Sequence, residues 1–187
     1  ASRRCTLRVD DVPGAAAVIR PIGRNERAEW NGIAHMLEHM AFKGTKRRTA
    51  AAIAEQIEAV GGQINAYTSR EHTAYYAKVL YEHMPLALDI LADIVQHSIF
   101  DPEELERERG VVLQEIGQAV DTPDDIVFDH FQAAAYPDQP MGRSVLGTVA
   151  SVRSIGRDAL FGYMNEEYGA HRTVLAAAGR VDHDEVV

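Results

Sequence analysis

The sequence predicts an α+β fold: a mainly antiparallel sheet covered by helices. Three observations carry that prediction. Residues 64–69 and 73–80 are rich in Tyr, Thr, Val and Ile and flank the short polar link Arg70-Glu71-His72, which reads as a hairpin. Helical segments with clear start and stop residues lie on both sides of it. Strands and helices are mixed without the strict alternation that builds a parallel sheet.

Taken in order, residues 6–9 alternate weakly and read as a strand, Asp10-Asp11-Val12-Pro13-Gly14 as a turn, and 15–19 as a second strand. Residues 20–30 are polar and without pattern. Asn31 is a good N-cap for a helix over 32–41, which Gly44 ends. Thr49 caps a second helix over 50–60, closed by Gly61-Gly62. After the hairpin, residues 82–97 place Leu88, Leu91 and Val95 at helical spacing. Asp101 caps the next helix, Pro102 suits its first position and Glu104 completes a capping box; it should run to about Val120. Thr122-Pro123-Asp124 opens another helix, through Ala135. Residues 136–148, with two prolines and two glycines, predict a loop. A helix over 158–168, a strand at Thr173–Ala178 ended by Gly179, and a last helix begun by Asp182 complete the reading.

Composition narrows the function. The 187 residues are 46% hydrophobic, enough for one domain with its own core. The formal net charge of -9 argues against nonspecific nucleic-acid binding and favours basic partners, basic peptides among them. Cys5 stands alone, so no intrachain disulfide can form. No apolar run approaches the roughly 20 residues needed to span a bilayer. Ala1-Ser2-Arg3-Arg4 is basic but leads into no apolar signal core.

The chemistry concentrates in His35-Met36-Leu37-Glu38-His39. Residues four apart on a helix share a face, so His35 and His39 can aim two imidazoles at one ion. Glu38 sits beside that face, placed to act as a base on a water. The order is H-x-x-E-H, the inverse of the commoner zincin motif. A chain with eight histidines can hold this spacing by chance, and paired helix histidines can simply face solvent. A catalytic zinc also needs a third protein ligand. The helix after Asp101 offers Glu103, Glu104, Glu106, Glu108 and Glu115. Glu108 and Glu115 are seven apart and share a face. Glu115 lies in the apolar stretch Val111-Val112-Leu113-Gln114-Glu115-Ile116, where a buried carboxylate needs a partner such as a metal. Glu103, Glu104 and Glu106 read as compensation of the helix dipole at a solvated start. His72, His83, His97, His130, His171 and His183 read as surface, capping or packing residues.

With these residues in place, the chain resembles the pitrilysin–insulysin family of zinc peptidases, and within it the processing-peptidase branch. Asn31-Gly32-Ile33-Ala34-His35-Met36-Leu37-Glu38-His39-Met40-Ala41-Phe42-Lys43-Gly44-Thr45 carries the likeness, as does Glu108-Arg109-Gly110-Val111-Val112-Leu113-Gln114-Glu115. The resemblance implies one zinc ion on His35, His39 and Glu115, Glu38 as general base, and Glu108 as a supporting carboxylate. Gly61-Gly62-Gln63-Ile64-Asn65-Ala66-Tyr67-Thr68-Ser69-Arg70-Glu71-His72-Thr73 also looks like the family. There it implies a peptide substrate added as an extra strand, with Asn65 and Ala66 in contact; read alone, it is an ordinary hairpin strand.

The implied function is a zinc-dependent metalloendopeptidase acting on extended peptides or presequences. Some members of such families keep the fold as noncatalytic subunits of processing complexes, the rival reading. Those usually lack part of the H-x-x-E-H set, which is whole here. Family subunits are more than twice this length and pair two related domains. The resemblance therefore implies a single, partial, apparently truncated N-terminal domain. A second domain, or a homo- or hetero-dimer partner, would complete it. The compartment stays open among bacterial cytoplasm, periplasm and mitochondrial matrix.

Overall fold

A computed structural model of the protein describes residues 14–19 and 26–186. The strand read at 6–9 and most of the turn at 10–14 lie outside them. Four strands form one antiparallel sheet: β1 (Gly14–Ile19), β2 (Gln63–Thr68), β3 (Thr73–Lys78) and β4 (Thr173–Ala178), in the order β2-β3-β1-β4. The hairpin is as expected, with Gln63 opposite Lys78 and Thr68 opposite Thr73. β2 shows the alternation of a half-covered strand, Ile64, Ala66 and Thr68 being the more buried set.

The helices are α1 (Ile33–Ala41), α2 (Ala50–Glu58), α3 (Met84–His97), α4 (Pro102–Asp121), α5 (Pro123–Ala135), α6 (Val149–Ser154), α7 (Arg157–Glu167) and α8 (His183–Val186). α1 is wedged between β2, α4 and α7, while α3 lies on β1 and β3. Met36, Leu37 and Met40 of α1 join Ile53, Ile57, Tyr75, Ile90, Leu91, Ile94 and Val112 in one core. That wedge holds α1 on several sides and leaves its histidine face between β2 and α4.

The local punctuation mostly works as the sequence predicts. Thr49 accepts from Ala52 N, and Asp101 accepts from Glu103 N and Glu104 N ahead of Pro102. Three expectations need correction. Asn31 does not cap α1: Gly32 is the N-cap residue, in the left-handed region, and the capping oxygens come from Glu26. Glu104 does not close a capping box; its carboxylate pairs with Arg107 instead. The buried stripe of α3 is Met84, Ala87, Ile90, Leu91 and Ile94, so Leu88 and Val95 sit only at its margin. α6, for which the sequence reading assigned no element, is opened by a capping box between Thr148 and Ser151.

Candidate metal centre

α1 stacks His35 and His39 one turn apart, their rings edge to face with centroids 4.6 Å apart. The two Nε2 atoms approach to 3.2 Å. From α4, Glu115 Oε2 reaches 3.5 Å from His35 Nε2 and 3.6 Å from His39 Nε2. A tetrahedral zinc with ligand bonds of about 2.0–2.2 Å keeps its ligand atoms roughly 3.3–3.6 Å apart. The triangle has the size of one face of such a tetrahedron, so the donor set and its spacing fit zinc.

The protonation states suit ligation. Burial lowers the His35 pKa to about 4, with repulsion from His39 adding, so its imidazole is neutral at pH 7. His39 turns Nδ1 to Glu108 Oε2 at 2.8 Å, which makes Nε2 the atom facing the triangle. His35 Nδ1, by contrast, is buried without a hydrogen-bond partner.

Glu38 stands beside this triangle. Burial raises its pKa, and Glu115 adds to the rise; Thr68, which hydrogen-bonds the carboxyl, and His39 act in the opposite sense. Its Oε2 is buried and has no hydrogen-bond partner among the described residues. A carboxylate with a raised pKa and an open oxygen is equipped to accept and return a proton.

The sequence reading expected Glu115 to be the buried acid. The structure corrects this: the Glu115 side chain is 35% exposed and that of Glu108 only 10%. The buried residues of α4 are Leu105, Glu108 and Val112, all before Glu115, and Val111 is exposed. Glu108 and Glu115 do share one face, since both reach His39. Glu103 and Glu106 are exposed and pair with Arg107 and Arg109, as a solvated helix start predicts.

Asn65 and Ala66 lie on β2, which bounds the sheet among the described residues. Ser69 N donates to His72 O at the hairpin end, and alternation along an antiparallel ladder then turns the main-chain groups of Ala66 outward. The outward Ala66 N–H is held by Asn65 Oδ1 at 2.8 Å.

Sequence reasoning missed several residues here. Glu26 accepts from Gly32 N and Ala34 N at 2.9 Å each and from Asn31 Nδ2 at 3.0 Å, fixing the start of α1. No local signal marks it, because it lies in a patternless segment. Lys43 Nζ meets Glu108 Oε1 at 2.6 Å. Its position four after His39 was a usable signal. Behind Glu38, the Thr68 and Thr73 hydroxyls lie 3.2 Å apart, and those of Tyr75 and Tyr168 share a 2.9 Å hydrogen bond.

Residues 17–149, which include His35, Glu38, His39, Glu108 and Glu115, match the family described as Insulinase (Peptidase family M16). The chain belongs to that family. It is 51% identical, over 88% of its length and 31% of the relative's, to the probable mitochondrial-processing peptidase subunit beta of Arabidopsis thaliana. It is 46% identical to an uncharacterized zinc protease of Rickettsia felis, over 96% of this chain and 43% of that protein. The structure of a protease from Helicobacter pylori superposes with a TM-score of 0.88 at 25% identity, covering 94% of this chain and 42% of that one. The M16 chain therefore spans less than half the length of these relatives. Peptidase chemistry is the family's, and zinc is in the name of one of these relatives. No helix among the described residues is long and apolar enough to cross a membrane.

Proposed function

We propose that this chain is the metal-binding part of a zinc-dependent metalloendopeptidase that hydrolyses peptide bonds in extended peptides or presequences. The observation that carries the reading is the triangle of His35 Nε2, His39 Nε2 and Glu115 Oε2, with edges of 3.2, 3.5 and 3.6 Å and the open Glu38 carboxyl beside it. Those three residues would hold one ion. Zinc at such a site supplies a Lewis acid and makes water a nucleophile near neutral pH.

The chain's own residues do the rest. Glu38 accepts the proton of the attacking water and returns it to the leaving amine nitrogen. Glu108 fixes the His39 ring through Nδ1. The outward main chain around Ala66 receives the peptide as an added strand, and Asn65 gives up its hold on the Ala66 N–H as the peptide docks. The chain is net acidic, which suits basic peptides. The work of a second domain or partner subunit, to cover the bound peptide, belongs to this proposal as well. Exposed apolar side chains at Val127, Phe128 and Phe131 of α5 support it.

The test is cleavage of a quenched fluorescent peptide by the full-length protein with zinc analysis alongside. Glu38→Gln should retain about one zinc per chain and lose turnover by about 10²–10⁴-fold, the contribution of general acid–base catalysis. A variant that cleaves at the wild-type rate removes Glu38 from this role. Cleavage that persists after exhaustive chelation removes the metal.

A further inference from the structure

Glu108 is held from two sides. Its Oε2 accepts from His39 Nδ1 at 2.8 Å, and its Oε1 meets Lys43 Nζ at 2.6 Å. The two partners come from the end of α1 and the residues just after it, while Glu108 comes from α4, so the carboxylate bridges the two elements that supply the metal triangle. Lys43 N donates to Met40 O, and this last turn keeps Lys43 on the His39 side of the helix. The Lys43 side chain is 30% exposed and that of Glu108 10%.

We propose that Lys43 is a positioning residue of the metal centre, acting through Glu108 to fix the ring of His39. The physical argument is one of geometry and counter-charge. A carboxylate this sheltered needs a cation, and His39 offers only a neutral N–H when its Nε2 serves a metal. With Lys43 on Oε1, the carboxylate plane is pinned at both oxygens, and the Nδ1–H of His39 has one place to point. Its Nε2 is then aimed at His35 Nε2 and Glu115 Oε2. Without Lys43, Glu108 is drawn toward water, and the ring loses the partner that sets its orientation. An ordinary lysine at a helix end interacts with the helix dipole alone. It would leave the metal untouched.

This inference rests on the metal reading above, and its test separates the two. Zinc affinity of the purified full chain is measured by competition with a chromophoric chelator, for wild type, Lys43→Met, Lys43→Arg, Glu108→Gln and the Lys43→Met/Glu108→Gln double variant. Loss of a residue that orients a ligand typically costs 10–100-fold in affinity. Lys43→Met is expected to weaken zinc about 10-fold and Glu108→Gln at least as much. Lys43→Arg, which keeps the charge and its donors, is expected to stay within about threefold. The double variant should be no weaker than Glu108→Gln alone, because both changes break one chain of contacts. Lys43→Met within twofold of a tight wild type overturns the proposal, as do losses that multiply in the double variant. An arginine variant that loses as much as methionine overturns it too. A wild-type chain that takes up no zinc overturns the metal reading and this inference with it.

Discussion

Gly32 and Gly147 decide how closely the chain can press on the start of α1. Gly32 has φ +92°, and a Cβ there would lie 2.7 Å from Leu146 O and 2.9 Å from Gly147 Cα. Gly147, at φ +80°, would place its own Cβ 2.3 Å from Asn31 O. The close approach lets Asn31 Nδ2 donate to Ser144 O at 3.0 Å and Ser151 Oγ donate to Asn31 O at 2.7 Å. Glu26 completes the clamp. Burial pushes its carboxyl pKa up, and the Gly32 and Ala34 N–H groups with Asn31 pull it back down. Gly32→Ala adds a left-handed penalty of about 1–2 kcal/mol to a collision with backbone that cannot rotate away. The total should be on the order of 3 kcal/mol, typical of strain at a special backbone position. A urea unfolding midpoint equal to that of the wild type would contradict this account.

At the scale of elements, the link between α1 and α2 is tied to α3 by a buried acid. Asp93 is fully buried; it accepts from Thr45 Oγ1 at 2.8 Å and from Arg48 Nη1 at 2.7 Å. Thr45 Oγ1 in turn accepts from Arg47 N and Arg48 N. Arg47 forks onto Asp89, and His97 Nδ1 lies 3.2 Å from Asp93. Burial raises the Asp93 pKa, but the hydrogen bonds from Arg48 and Thr45 outweigh it and hold the acid below its ordinary 3.8. A depressed carboxylate stabilises the fold fully above its unfolded pKa, and that stabilisation is lost as pH falls through the folded value. Asp93→Asn removes the buried charge that Arg48 and Thr45 hold, while Arg48 keeps Asp89 and Gln56, and should cost about 1–3 kcal/mol at pH 7. The gap between wild type and variant should narrow below about pH 4. Urea unfolding free energies at pH 7 and pH 3.5 read both effects. A cost under about 1 kcal/mol at pH 7 would show that this cluster ties nothing down.

What the sequence discloses at this scale follows from how local each signal is. Thr49, Asp101-Pro102 and Pro123 act on their own next turn, so the starts of α2, α4 and α5 were legible, although the Thr122 hydroxyl donates back to Gln118 O rather than capping α5. The convergence of His35, His39 and Glu115 was legible because two of them are one turn apart and the third shares a helix face with Glu108. The cap of α1 was not, since Glu26 reaches Gly32 and Ala34 across a turn with no pattern of its own. The face of α3 was misread because large residues drew attention to Leu88 and Val95. The sheet covers a stripe that includes the small Ala87. Burial along α4 was misread because an apolar stretch does not say how a helix is tilted over its neighbours, and Val111 emerges.

At the scale of the whole molecule, the proposed ion would join elements that the chain leaves apart. His35 and His39 come from α1, Glu115 from α4 more than seventy residues later, and the ion would be a tie between them. The folded chain presents the three donors together, whereas the unfolded chain scatters them, so the proposed zinc would bind the native state preferentially. At a free concentration 100 times its dissociation constant, such a ligand adds about 2.7 kcal/mol of stability. For a protein of this size, 1 kcal/mol moves the melting temperature by about 2–4 °C. Chelation should therefore lower the midpoint by about 5–10 °C, and added zinc should restore it. Magnesium should not, because it prefers six oxygen ligands over two imidazoles and a carboxylate. Glu38→Gln should show the same zinc-dependent shift as the wild type, which separates holding the ion from using it. A melting temperature indifferent to chelator and zinc alike would leave the triangle without its ion. In that case the triangle would be a hydrogen bond between His35 and His39 with the Glu115 carboxylate nearby, and nothing more.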